Sequence, residues 1–91
     1  MKIDLTISKN ILFYTDIVDL VQDHAPEFID GLSRVDCIKL AHMHDFQDLA
    51  FCVVDYETVL VLSKSGGDVY AKYTMQEFLD ETMKEINEYE F

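Results

Sequence analysis

The chain is short of positive charge: 7 lysines and arginines stand against 18 aspartates and glutamates in 91 residues, for a formal net charge of -11 at pH 7. A compact body this acidic repels nucleic acid and anionic membrane through its summed field and attracts basic protein surfaces. Cysteine is scarce as well, with Cys37 and Cys52 each inside an apolar run and no paired Cys or His motif around them. That argues for two buried free thiols in a reducing compartment over a strand-to-strand disulfide or a redox role. Proline occurs once, and there are no internal repeats, low-complexity runs or linkers. The opening Met1-Lys2-Ile3-Asp4 has no basic stretch leading into an apolar one, and no apolar run is long enough to span a bilayer. The expected location is the cytoplasm.

Hydrophobic residues make up 49% of the chain and aromatics 12%, which is not the composition of a disordered acidic tail. A chain of this length buries somewhat more than about 60% of its unfolded surface. The expectation is a single domain over residues 1–91.

Lys2-Ile3-Asp4-Leu5-Thr6-Ile7 alternates with period two and predicts a short strand. Ser8 or Asn10 then caps a helix predicted from about Ile11 to His24, with Ile11, Tyr14, Ile17, Val18 and Val21 on its apolar face. Pro26 opens a second short helical piece through Phe28, Ile29 and Leu32, which Gly31 weakens. Val35, Cys37, Ile38 and Leu40 read as a strand running to about Met43, and His44-Asp45 as a turn.

Leu49–Val54 and Thr58–Leu62 are almost continuously apolar and rich in β-branched residues, the pattern of strands covered on both faces. Ser65-Gly66-Gly67-Asp68 supplies a tight turn, and Val69–Tyr73 returns antiparallel. Thr74-Met75-Gln76-Glu77 is a capping box. It starts a helix to about Tyr89 whose stripe of Met75, Phe78, Leu79, Thr82, Met83, Ile86 and Tyr89 docks on the sheet.

The fold class is therefore α+β: a small antiparallel sheet of three to five strands, with an N-terminal helix and a C-terminal amphipathic helix packed on it. Two modest helices do not cover both faces of such a sheet. Either they straddle it, or a second copy of the chain covers the rest in a homodimer.

Candidate chemistry is thin. His42 and His44 would share one side of a strand, with Asp45 or His24 as further ligands, but a structural metal site needs about four ligands and none are paired by motif. Cys37 and Cys52 lack the electropositive surroundings that favour thiolate. Ser65-Gly66-Gly67 is followed by a strand, not by the helix N-terminus of a phosphate cradle. No catalytic residue, metal site or cofactor is assigned. Tyr56, Tyr70 and Tyr73 either pack on the sheet or anchor an interface.

The acidic residues are patterned. At about 100° per residue, Asp16, Asp19 and Asp23 share one helix face. Glu77, Asp80, Glu81, Glu85 and Glu88 form a second stripe, interrupted by Lys84. Carboxylates one turn apart recur every ~5.4 Å, whereas a DNA strand presents a phosphate every ~3.4 Å. Two neighbouring stripes are needed to approach that density.

These eight residues are the candidate partner-binding set, and the expected partner is a basic protein surface, that of a nucleic-acid-binding enzyme. The expectation is a small acidic, non-enzymatic inhibitor that touches neither nucleic acid nor membrane directly. Small size, lack of catalytic groups and acidity are shared with phage-encoded anti-restriction and anti-CRISPR proteins that mimic DNA, an analogy of class only. The alternatives are an immunity protein that neutralises a cationic nuclease toxin, and a dimeric adaptor whose acidity keeps it in solution.

Overall fold

A computed structural model of the chain describes residues 10–43 and 48–90. The elements run β1 (Ile11–Tyr14), α1 (Ile17–His24), α2 (Pro26–Asp30), α3 (Arg34–His42), β2 (Leu49–Val54), β3 (Thr58–Ser63), β4 (Val69–Thr74) and α4 (Met75–Glu88). The strands form one antiparallel sheet in the order β1-β2-β3-β4. The architecture is α+β, with N-terminal helices and a C-terminal helix packed on a four-stranded sheet.

Register fixes what each face carries, because residues paired across an antiparallel ladder point to the same side. Tyr14, Phe51, Val61 and Ala71 share one face, as do Leu12, Val53, Val59 and Tyr73. Onto that face pack Ile17, Leu20 and Val21 of α1, Leu40 of α3, and Phe78 and Ile86 of α4, forming the main core. Each such fully buried side chain contributes roughly 1.5–3 kcal/mol.

The opposite face carries Phe13, Cys52 and Leu60 in one row and Ile11, Val54 and Thr58 in another. Cys52, Val54 and Leu60 make a second, smaller cluster there with Ile11 and Leu62. All four described helices contribute to the first cluster. They do not straddle the sheet.

Two tight turns hold the strands in register. Gly67 adopts φ +73° between β3 and β4, and the turn is closed by Gly67 N–H donating to Ser63 O at 2.9 Å. The Asp48 carboxylate, just before β2, accepts from Ser63 Oγ at 2.8 Å and from Ser65 Oγ at 2.7 Å. These hydroxyls, Ser65 first, hold its carboxyl below the usual carboxylate range. Between β2 and β3, Asp55 and Tyr56 both adopt positive φ, 52° and 64°. With Glu57 N–H donating to Val54 O at 3.2 Å, this is the primed turn that matches strand twist, built here without glycine.

The helix signals map onto local hydrogen bonds. Asp16 caps α1 by accepting from Val18 N–H at 2.8 Å. Pro26 stands at the first position of α2, where its missing N–H leaves nothing unsatisfied. Thr74 and Glu77 exchange both bonds of the capping box, at 3.1 and 2.9 Å.

Three expectations need correction. Ile11–Tyr14 is not the start of a helix: it pairs with β2 from Ile11 opposite Val54 to Tyr14 opposite Phe51, and α1 begins only after the Asp16 cap. Val35–Met43 is not a strand but most of α3, because Ser33 accepts from Asp36 N–H at 3.1 Å and nucleates a helix. Cys37 is only half-buried, while Cys52 is buried; both are free thiols. The strand expected over residues 2–7 and the turn at His44-Asp45 lie outside the described residues.

Candidate functional site

The candidate residues come from α1, α4 and their caps, so their positions follow from how those helices dock. Helix α1 buries Ile17, Leu20 and Val21, and α4 buries Phe78, Thr82 and Ile86. An i, i+3, i+4 apolar stripe of this kind turns the remaining positions outward. Asp16, Asp19, Asp23, Glu77, Asp80, Glu81, Glu85 and Glu88 are all exposed. Because both helices feed the same core cluster, these carboxylates belong to one layer on one side of the sheet.

The eight do not do the same thing. Asp16 is an N-cap. Glu77 completes the capping box, and the Thr74 backbone N–H, then its hydroxyl, hold the Glu77 carboxyl below its ordinary range. Asp80 accepts from Gln76 Nε2 at 3.0 Å. Asp23 accepts from the Tyr14 hydroxyl at 3.0 Å, so Tyr14 does not oppose the acidic face but joins it, a consequence of Tyr14 standing on β1. Burial and then the Asp23 hydrogen bond and charge push the Tyr14 phenol up to about 12. Asp19 and Glu88 remain as exposed carboxylates at the first turn of α1 and the end of α4.

Sequence reasoning missed the acidic residues of α2. Glu27 and Asp30 are exposed, and Glu27 lies across a groove of about 330 Å³ from Asp80, with Phe28, Leu79 and Met83 lining it. The signal was available in the chain, since both follow Pro26 on the piece already read as helical.

Glu81 and Glu85 have a different setting again. They stand at a cavity of about 160 Å³ between α4 and the sheet, lined on its apolar side by Ile17, Phe51, Ala71 and Phe78. Residues from α1, β2, β4 and α4 converge here, so no local pattern announces it.

His42 ends α3 and is exposed, on a helix and not on a strand; His44 and Asp45 lie outside the described residues. Among the described residues, no group of three or more His, Cys, Asp or Glu side chains is arranged to hold a metal ion. Burial pushes the Cys52 thiol up, which disfavours thiolate. Tyr73 packs against the main core, while Tyr56 and Tyr70 are 57% and 60% exposed. No described helix is long and apolar enough to cross a membrane.

The geometry thus defines an α+β protein with an acidic helix layer on one side of its sheet. Compared with protein-family models, curated proteins and solved structures, the chain matches none of them.

Proposed function

We propose that the protein is a small, acidic, non-enzymatic inhibitor that binds a basic surface of a larger protein, most simply the nucleic-acid-binding groove of an enzyme. The observation that carries this reading is the placement of the exposed carboxylates of α1, α2 and α4, which stand on helices that pack on a single face of the sheet. Complementary charge would accelerate encounter, and the bound acidic layer would then exclude the partner's nucleic acid. The lysines and arginines that neutralise phosphates accept carboxylates equally well, Arg often through two bonds. The reading sets the protein in a cytoplasm where Cys37 and Cys52 stay reduced, with a phage-encoded inhibitor of host defence and an immunity protein as its two natural forms.

The test is capture from a host lysate on the immobilised protein, eluted first with salt and then with competing nucleic acid. A basic nucleic-acid enzyme released by both supports the reading. A partner that resists both, or that binds nucleic acid and the protein together, sinks it.

A specific observation favours a second reading, a dimeric adaptor. The face of the sheet away from the helices carries Phe13, Cys52, Val54 and Leu60 and no acidic residue among its paired positions, with Phe13 67% exposed. Two chains of this net charge would repel least across that face. A mass measured in solution that doubles with concentration, and reverts in Phe13→Ser, would carry it; a monomer at all concentrations would remove it.

A further inference from the structure

We propose that the cavity beside α4 is a receptor for one apolar side chain of the partner, an aromatic ring carried between basic residues. This rests on the acidic-inhibitor reading and deepens it, because it gives the acidic layer an anchoring point that charge alone does not supply.

The cavity measures about 160 Å³, close to the roughly 150 Å³ apolar cavity that accepts benzene in another protein. Ala71 is the smallest side chain in its wall. That residue faces the helices from β4, directly across the ladder from Val61, and its methyl leaves open the space that a larger side chain would fill. The aromatic walls are already arranged edge-to-face, with Phe51 and Phe78 centroids 5.8 Å apart. Such an environment favours a further ring over an aliphatic chain.

Two hydroxyl-bearing residues line it, Tyr73 and Thr82, and Thr82 makes no demand on a ligand, since its Oγ1 donates to Phe78 O at 2.8 Å. Polarity enters through Glu81 and Glu85. One helical turn apart, they lie on neighbouring positions of the same helix face. A ring flanked by cations satisfies both parts of the site: the apolar walls and the paired carboxylates. An anionic ligand of the same shape would meet repulsion.

Hot spots in protein interfaces have this form, a buried aromatic anchor encircled by polar contacts. Charge steers the partner over the whole helix layer, and the pocket then fixes where it stops. Elongated acidic surfaces that rely on charge alone have no such register.

Three synthetic peptides test it on the full chain: acetyl-Arg-Phe-Arg-amide, acetyl-Arg-Ala-Arg-amide and acetyl-Glu-Phe-Glu-amide, each titrated while the methyl resonances of Ala71, Ile17 and Val61 are followed by NMR. The first should shift these methyls saturably, and removing its ring should weaken binding by about tenfold or more. The third should leave them unmoved. Glu81→Gln with Glu85→Gln, both at exposed positions, should weaken the first peptide several-fold while leaving the fold intact; Ala71→Leu should abolish the response.

Equal binding of the Phe and Ala peptides overturns the proposal, as do shifts confined to the groove around Phe28, Leu79 and Met83. The two readings fail separately. Discrimination among the peptides with no basic enzyme captured from lysate leaves the pocket and removes the inhibitor; the reverse pattern leaves the inhibitor and removes the pocket.

Discussion

The hydroxyl of Tyr14 donates to the Asp23 carboxylate at 3.0 Å and lies 2.9 Å from His24 Nε2. A phenol has one proton to give, so with Asp23 taking it, the imidazole must carry hydrogen on Nε2 and donate to the Tyr14 oxygen. The arrangement ties the end of α1 back to β1. Its signature is in the phenol, whose pKa stands near 12, above the usual value of about 10. A group raised in the folded state adds stability while protonated, so this contribution is complete below about pH 10 and is lost as pH rises towards 12. Ultraviolet titration of tyrosinate should therefore show a late step that Tyr14→Phe removes, and the substitution should cost about 1 kcal/mol in denaturant unfolding near neutral pH. A titration unchanged by Tyr14→Phe would contradict the network.

Tyr56 holds φ +64° directly after Asp55 at +52°, and left-handed backbone costs a non-glycine residue roughly 1–2 kcal/mol. Its side chain offsets part of that through the hydroxyl, which donates to Asn10 Oδ1 at 3.2 Å, and through a tilted contact with the His24 ring at 6.0 Å. Alanine loses the contacts and keeps the strain, whereas glycine loses both. Tyr56→Gly should thus be more stable than Tyr56→Ala by about 1 kcal/mol, measured as a difference in urea midpoint at constant slope. Equal midpoints would mean that the turn relaxes in the variants.

The capping box separates a stabilising carboxylate from the binding set. Thr74→Ala should cost about 1 kcal/mol. Glu77→Gln removes a group whose pKa is depressed in the folded state, so its contribution is present at neutral pH and is lost as pH falls below the ordinary carboxylate range. Against wild type, the Gln variant should lose stability at pH 7 and close the gap in acid, while association with a basic partner changes little. A partner affinity that falls with the stability unchanged would return Glu77 to the interface.

These distinctions mark what was legible in the sequence. β2, β3, the Gly67 turn and the capping box were legible because each is a local pattern with a local cause. Ile11–Tyr14 was not, since an apolar run of four fits either element and only pairing with Val54 and Phe51 decides it. α3 reads as a strand because Val35 and Cys37, then Ile38 and Leu40, fall two residues apart as in a strand, with Val35 and Ile38 in fact exposed at 54% and 43%, while the Ser33 cap decides for helix. At the candidate site, which carboxylates face solvent could be read from the helical stripe. Tyr14 meeting Asp23, or Ala71 opening a cavity beside Glu81, depends on residues from different elements.

The two thiols should behave differently. Cys52 is fully buried and its thiol is pushed up by burial, whereas Cys37 is half-buried on α3. With a thiol-reactive disulfide in native buffer, one equivalent should react quickly and be absent in Cys37→Ser; the second should appear only on unfolding. Two fast equivalents would show that the face bearing Cys52 opens readily.

Charge reversal tests steering apart from anchoring. Asp19, Asp80 and Glu88 are exposed, and none caps a helix or lines the cavity beside Glu81. Replacing all three by Lys shifts the net charge strongly towards neutral without touching the apolar anchor point. If long-range attraction governs encounter with a captured basic partner, association should slow by about tenfold or more at low ionic strength and lose much of its salt dependence, while dissociation changes less. Ala71→Leu should do the opposite, accelerating dissociation with the on-rate kept. An association rate indifferent to the triple reversal would mean that the acidic layer serves solvation only, and the sheet's other face would become the surface to pursue.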